Sequence, residues 1–294
     1  MTNLFRFLSV RRSTFISLLL FALLLFGARE FLPWEEIPTV VEMLGTLSLY
    51  QWSLLGILQL ISLLLAGGQW VIILRHKGYS VPWAPLIVRY VAGSAVEAIT
   101  PSSKVGGESV RAVLFHRAFS LPYGTFAQAA ATRGVALYSA LAAIIAITLV
   151  SQHSALGTAL LGAGVILVSG VAVVSRPVMW PLALSSLALW GLYPLKLFLI
   201  GYFVGIPLAI PLAVIATYSA YIVALLPLTP GGLGVYEAGM TAVLTATGIP
   251  VVSAVTLTLL LRVVTFWGPL ALSLACAGTM VLRDEMCAPG EVAS

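Results

Sequence analysis

Hydrophobic positions in this chain come in long unbroken runs, separated by short clusters of charge. The runs cover residues 13–32, Tyr50–Leu74, Gly134–Val150, Ala155–Val174, Trp180–Val204 and Val251–Leu282. About 20 consecutive apolar residues make one helical membrane crossing. No strand-like alternation interrupts them, so the pattern predicts an all-α polytopic membrane protein. The first run follows Arg6, Arg11 and Arg12, as either a signal peptide or an uncleaved span would. Phe26 stands three residues before a cut after Ala28, where a small residue is wanted, which favours an uncleaved span.

Two segments, 83–120 and 207–248, break this pattern. Each opens with an apolar run of about 16 to 19 residues, passes through a Pro and Gly loop, and closes with a shorter, partly polar helix. The charges decide how they lie. Glu30, Glu35, Glu36 and Glu42 follow the first run, and Arg75, His76 and Lys77 end the second. If both segments enter and leave on the same side, Arg117, Arg176 and Arg283 join the N-terminal cations on one side. The excess of Lys and Arg in cytoplasmic loops then makes both termini cytoplasmic. Segments 83–120 and 207–248 are therefore read as re-entrant hairpins. Non-helical backbone at membrane depth survives only against protein or water, so their loops should line an interior site.

An internal repeat organises the chain. Pro101, Glu108 and Arg133 recur as Pro230, Glu237 and Arg262, each displaced by 129 residues. The flanking elements follow the same offset. One membrane domain, 1–294, then consists of a first span (13–32), a repeat at 50–150, a linking span (155–174) and a second repeat at 179–282. Each half reads span, re-entrant hairpin, span, and the linking span inverts the second copy. Inverted repeats with broken helices are the architecture of many alternating-access transporters.

Composition narrows the function. Hydrophobic residues make up 60% and charged residues 9% of the chain, against about 25% charged in soluble domains, which leaves no stretch for a soluble domain. Cys276 and Cys287, like His76, His116 and His153, lie apart, so no disulfide, metal or cofactor site is expected. The net charge of +5 comes from loop cations and forms no patch for nucleic acid. Trp34, Tyr50 and Trp52 mark an outer interfacial belt, and Trp70, Tyr79, Trp83 and Trp180 an inner one.

The interior charges carry the candidate chemistry. They are Glu97, Lys104, Glu108, Arg111, Arg133, Lys196, Glu237 and Arg262, with Arg89 in a position to pair with Glu97 along one helix. A charge facing lipid near the midplane costs about 2.5–3.5 kcal/mol, so these must point inward and pair. Three acids against five bases leave an excess of about two positive charges, which suits an anionic headgroup. Gly231, Gly232 and Gly234 allow positive φ before a helix starting near Val235, whose free N–H groups would attract an anion. Gly106 and Gly107, before a helix starting near Glu108, are expected to present a matching loop, with Lys104 and Arg111 adding charge. Glu108 and Glu237 then sit in first turns. Two roles stay open for them: capping and pairing with Arg133 and Arg262, or carrying a proton and gating substrate. Lys196 either snorkels or pairs.

The stretches PSSKVGGESVR (Pro101–Arg111), LPLTPGGLGVYEAG (Leu226–Gly239) and LLLRVV (Leu259–Val264) resemble the lysylphosphatidylglycerol synthase transmembrane-region family. This flippase-like module is also found in bacterial multiple peptide resistance factors. The resemblance implies lipid translocation or lipid-linked glycan work. It carries onto Gly106, Gly107, Glu108 and Arg111, onto Pro227, Pro230, Gly231, Gly232, Gly234 and Glu237, and onto Arg133 and Arg262. Thr132 stands where the family often places an acid before the first arginine. The aminoacyl-transferase domain of two-domain members has no counterpart in this sequence, which disfavours lipid aminoacylation by the chain alone. The expectation is a transporter of the bacterial inner membrane that moves an anionic phospholipid or polyprenyl phosphate, with proton or ion coupling. The rival readings are a membrane-embedded enzyme, for which no nucleophile or metal constellation is found, and a non-catalytic partner subunit in envelope synthesis.

Overall fold

The structure, a computed structural model, describes residues 37–100, 103–151, 176–226 and 229–286. The expected spans at 13–32 and 155–174, together with Pro101 and Pro227, lie outside the described residues. Among those described, every regular element is a helix. In chain order they are α1 (Ile37–Leu44), α2 (Leu49–His76), α3 (Trp83–Ile99), α4 (Ser103–Phe119), α5 (Tyr123–Ser151), α6 (Arg176–Phe203), α7 (Ile210–Ala224), α8 (Val235–Ala246), α9 (Val251–Arg262) and α10 (Gly268–Met286). A 3₁₀ turn at Pro230–Gly232 precedes α8, and a π turn at Val263–Trp267 joins α9 to α10.

Prolines set several of these starts. Pro82, Pro122 and Pro250 stand just ahead of α3, α5 and α9, and their carbonyls accept the first helical N–H bonds, from Leu86, Phe126 and Ala254. A proline is tolerated there because its missing N–H would have no helical partner anyway. Pro269 explains the π turn. It has no N–H for the Thr265 carbonyl, and its ring crowds that turn, so the helix widens just before it.

Four helical stretches are long and apolar enough to cross a membrane: Leu49–His76, Tyr123–Val150, Val178–Phe203 and Val251–Met280. They match four of the predicted runs, and the protein is a multi-pass membrane protein. Helices α3 and α4, of 17 residues each, and α7 and α8, of 15 and 12, are shorter. At ~1.5 Å per residue they reach about 18–26 Å, less than a ~30 Å hydrocarbon layer.

The described residues form two compact units. One gathers 37–52, 99–100, Ser103 and Pro194–Arg262. Within it α7 and α8 pack as an antiparallel pair, with Gly239 against Ala220 and Gly232 against Ala224. Helix α8 also packs on α9, and α9 on α1, where the buried Thr256 hydroxyl meets Met43 Sδ at 3.6 Å.

The other unit gathers 53–98, 104–151, 176–193 and 263–286. Its core holds an aromatic cluster in which Trp70 of α2 stacks on Phe126 of α5 at 4.7 Å and meets Phe115 of α4 edge-on at 5.3 Å. Trp70 is fully buried, so it belongs to this core and not to the interfacial belt expected for it. Tyr50 and Trp180 are 75% and 70% exposed, as lipid-interface aromatics would be. Gln69 Nε2 reaches Ser185 and Ser186 Oγ at 3.2 and 3.0 Å, and Trp190 Nε1 donates to the Leu137 carbonyl at 2.7 Å, tying α6 to α2 and α5. Helices α3 and α4 run antiparallel, with Gly93 beside Arg111 and Glu97 beside Gly107.

Candidate functional site: two ion-paired hairpins

The second motif folds as its glycines predict. Gly231, Gly232 and Gly234 take φ of 60°, 68° and 80°, a region that only glycine enters without strain. Helix α8 starts at Val235, and Glu237 sits at its third position. Glu237 Oε2 accepts the Gly234 N–H at 2.7 Å, while Oε1 accepts from Arg262 Nε at 2.6 Å. Capping and pairing are both present, one oxygen for each. Arg262 is 7% exposed, donates Nη2 to the Gly231 carbonyl at 3.1 Å, and lies over the Tyr236 ring at 4.7 Å. One arginine thus holds both ends of the turn that starts at Pro230 and leads into α8. The helix N-terminus that was expected to attract an anion already holds a carboxylate of its own.

The first motif folds differently. Helix α4 starts at Ser103, so Gly106 and Gly107 lie within the helix and form no loop before it. Glu108 is accordingly past the first turn and caps nothing. A glycine costs a helix roughly 1 kcal/mol against alanine, which packing can repay. A Cβ on Gly107 would come within 2.7 Å of Glu97 Cβ, and one on Gly93 within 2.6 Å of Arg111 Cγ. These glycines let α3 and α4 close on a buried guanidinium.

That guanidinium is Arg111, 3% exposed. Its Nε donates to the Tyr90 carbonyl at 3.2 Å, Nη1 to Glu108 Oε1 at 3.1 Å, and Nη2 to Ser94 Oγ and Glu97 Oε2, both at 2.7 Å. Glu97 therefore pairs across the hairpin with Arg111 and not with Arg89. Arg89 instead bonds the Pro85 carbonyl and lies over the Phe119 ring. Arg133 of α5 approaches Glu108 Oε1 with Nη1 at 3.6 Å and donates Nη2 to the Tyr90 hydroxyl at 3.2 Å. Its Cζ lies 5.8 Å from the Trp70 ring centroid. Among the described residues, three buried polar atoms here have no partner: Glu108 Oε2, Arg133 Nε and Trp70 Nε1.

Each 25-residue interval, Glu108 to Arg133 and Glu237 to Arg262, thus closes an ion pair, one in each unit. Glu97, Glu108 and Glu237 balance Arg111, Arg133 and Arg262. The remaining interior cations of the sequence count are the two lysines. Lys196 is fully buried on α6, which excludes snorkelling. Lys104 lies in the first turn of α4, and its side chain lies outside the described residues. The sequence reading missed Tyr90, Gly93, Ser94, Trp70 and Tyr236. A signal existed for the first three, since 90, 93, 94 and 97 form one helical face of α3, a polar stripe on an otherwise apolar helix.

Gly107→Ala is expected to lower the melting temperature of the purified protein in detergent. The alanine gains about 1 kcal/mol of helix propensity, against about 1–3 kcal/mol of overpacking beside Glu97. A raised melting temperature would show that the hairpin does not depend on that close approach.

The sequence matches the family described as lysylphosphatidylglycerol synthase TM region over residues 14–177 and 174–273. It is also similar to a UPF0104 membrane protein from Pyrococcus horikoshii, 30% identical over 102 residues, which are 35% of this chain and 29% of that protein. The chain thus aligns with less than a third of that relative's length. No solved structure matches. All three quoted stretches fall inside the matched residues, which run across most of the chain, and the protein belongs to the lysylphosphatidylglycerol synthase transmembrane-region family.

Proposed function

We propose that the protein moves an anionic lipid, a phospholipid or a polyprenyl phosphate, between the leaflets of a bacterial inner membrane. The observation that carries this reading is the placement of six paired charges on hairpins and the spans that follow them. Such charges are expensive inside a bilayer and mark polar pathways when they occur there. Both hairpins have helices too short to cross, which supports re-entrant segments entering from opposite sides. The order span, hairpin, span occurs twice, as two inverted halves rocking in alternating access would require. In this reading the headgroup travels along the charged interior while its acyl chains stay in lipid. Both termini are cytoplasmic, and proton uptake accompanies transport.

A second reading, a partner subunit of a lipid or envelope-glycan synthesis complex, draws on the family description, which ties this region to a synthase. Reconstitution separates the two. In proteoliposomes under a pH gradient, labelled phosphatidylglycerol and undecaprenyl phosphate should cross faster than in empty vesicles, and phosphatidylcholine more slowly than either. If none of the three exceeds the empty-vesicle rate, the transport reading fails and the partner reading takes its place.

A further inference from the structure

The repeat suggests two equivalent halves of an anion cradle, and the geometry breaks that equivalence. In the second hairpin both oxygens of Glu237 are engaged, one by Arg262 and one by the α8 N-terminus, so a phosphate arriving there would have to evict a carboxylate from two partners. Arg262 itself is committed through Nε and Nη2. Arg111 is equally committed, with every guanidinium nitrogen donating. Arg133 differs. Its Nε is buried without an acceptor, and its approach to Glu108 at 3.6 Å is too long for a hydrogen bond. The Trp70 ring, whose centroid lies 5.8 Å from Arg133 Cζ, carries a second such donor: its indole N–H, on a residue with 0% exposure, also lacks an acceptor among the described residues. Buried donors are paired in nearly all native structures, so two together need a reason.

We propose that a phosphate oxyanion is received in the first hairpin alone, by Arg133 and the Trp70 indole N–H, in place of the Glu108 carboxylate. The inference rests on the lipid-transport reading, and the phosphate is the lipid's headgroup. A guanidinium and an indole N–H offer donors only, which selects an anion. Leaving Arg133 costs Glu108 little, because Oε1 keeps its 3.1 Å bond from Arg111. The titratable and charged groups around Glu108 are Tyr90 and Glu97 on α3, Arg111 on α4 and Arg133 on α5, with Lys104 one turn earlier on α4. Two acids against two arginines and Lys104 leave one positive charge, which a phosphodiester monoanion neutralises. The Glu237–Arg262 pair acts as a fixed staple.

The test measures binding of short-chain phosphatidylglycerol, and separately of inorganic phosphate, to the purified full-length chain at two pH values, with melting temperature recorded alongside. Trp70→Phe keeps an aromatic ring against Phe126 and removes the N–H together with about three heavy atoms of the indole, so its melting temperature reports the packing loss separately. It should weaken phosphatidylglycerol binding about tenfold, and Arg133→Gln by at least as much. Glu108→Gln should tighten binding several-fold, the opposite sign to that of a lost structural pair. Unchanged affinity in folded Trp70→Phe, or weaker binding in folded Glu108→Gln, overturns the assignment, as does a wild-type chain that binds neither probe. If Arg133→Gln or Glu108→Gln does not fold, Trp70→Phe decides alone. Inorganic phosphate binding alone, with the same residue dependence, keeps the site and removes the lipid as its source. If phosphatidylglycerol binds as described yet no lipid crosses, the site stands and the transport reading falls. Lipid crossing at the wild-type rate in Trp70→Phe has the reverse meaning.

Discussion

Arg111→Leu is expected to leave little folded protein. The substitution strips Glu97 and Glu108 of their common partner and removes a donor from Ser94 Oγ and from the Tyr90 carbonyl, which keep their 3.4 Å bond to each other, all within one closed hairpin. Removing one member of a buried charge cluster costs about 3–5 kcal/mol, because the surviving charge stays desolvated. The lower end applies here, since Glu97 and Glu108 keep 29% and 30% of their side-chain surface exposed. That is still a large share of the roughly 5–15 kcal/mol that holds a typical protein folded. The check is yield and thermal unfolding of the purified chain. Adding Glu97→Leu should recover part of the loss, because apolar replacement of a whole buried pair is often close to neutral, while Glu108 keeps Arg133. A single variant that melts like the wild type would mean that α3 and α4 are held by something other than this guanidinium.

Arg262→Ala should come next in severity. It removes the 2.6 Å partner of Glu237 Oε1 and the donor to the Gly231 carbonyl, so the turn loses the group that ties it to α9. A cost of about 3 kcal/mol follows from the orphaned carboxylate. Glu237→Gln should be milder, because an amide oxygen still accepts the Gly234 N–H and preserves a cap worth about 1 kcal/mol. Glu237→Ala loses both. The expected order of melting temperatures is therefore wild type, Glu237→Gln, then Glu237→Ala and Arg262→Ala together. Equal losses in Gln and Ala at position 237 would remove the capping half of the account.

The spans and hairpins were readable because hydrophobic length and proline position act locally. Runs of bilayer length can bury their backbone only as helices, and Pro82, Pro122 and Pro250 mark where α3, α5 and α9 begin. The Glu237 turn was readable for a similar reason, since three glycines so close together announce positive φ. The first hairpin was not, because its glycines serve a distant partner. Gly93 and Gly107 are small so that Arg111 and Glu97 fit between α3 and α4, and nothing local distinguishes that use from a helix break. Glu97 was matched to Arg89 along its own helix, but eight residues are about 12 Å of axial rise, and Arg111 lies closer across the hairpin. Trp70 was read as interfacial from its place near the end of an apolar run, while Phe115 and Phe126 draw it into the core. Sequence symmetry likewise pointed to two equivalent sites. The difference between a saturated pair and an open one emerged only from the partners of Glu108 and Glu237.

The central claim is that this chain moves an anionic lipid across a bilayer. It is tested most directly by following fluorescent phosphatidylglycerol in sealed proteoliposomes as a membrane-impermeant reductant bleaches the outer leaflet. Vesicles holding the wild-type chain are expected to lose the protected inner-leaflet signal, while empty vesicles keep it. A protected signal equal to that of empty vesicles, with correctly folded protein in the membrane, would contradict it.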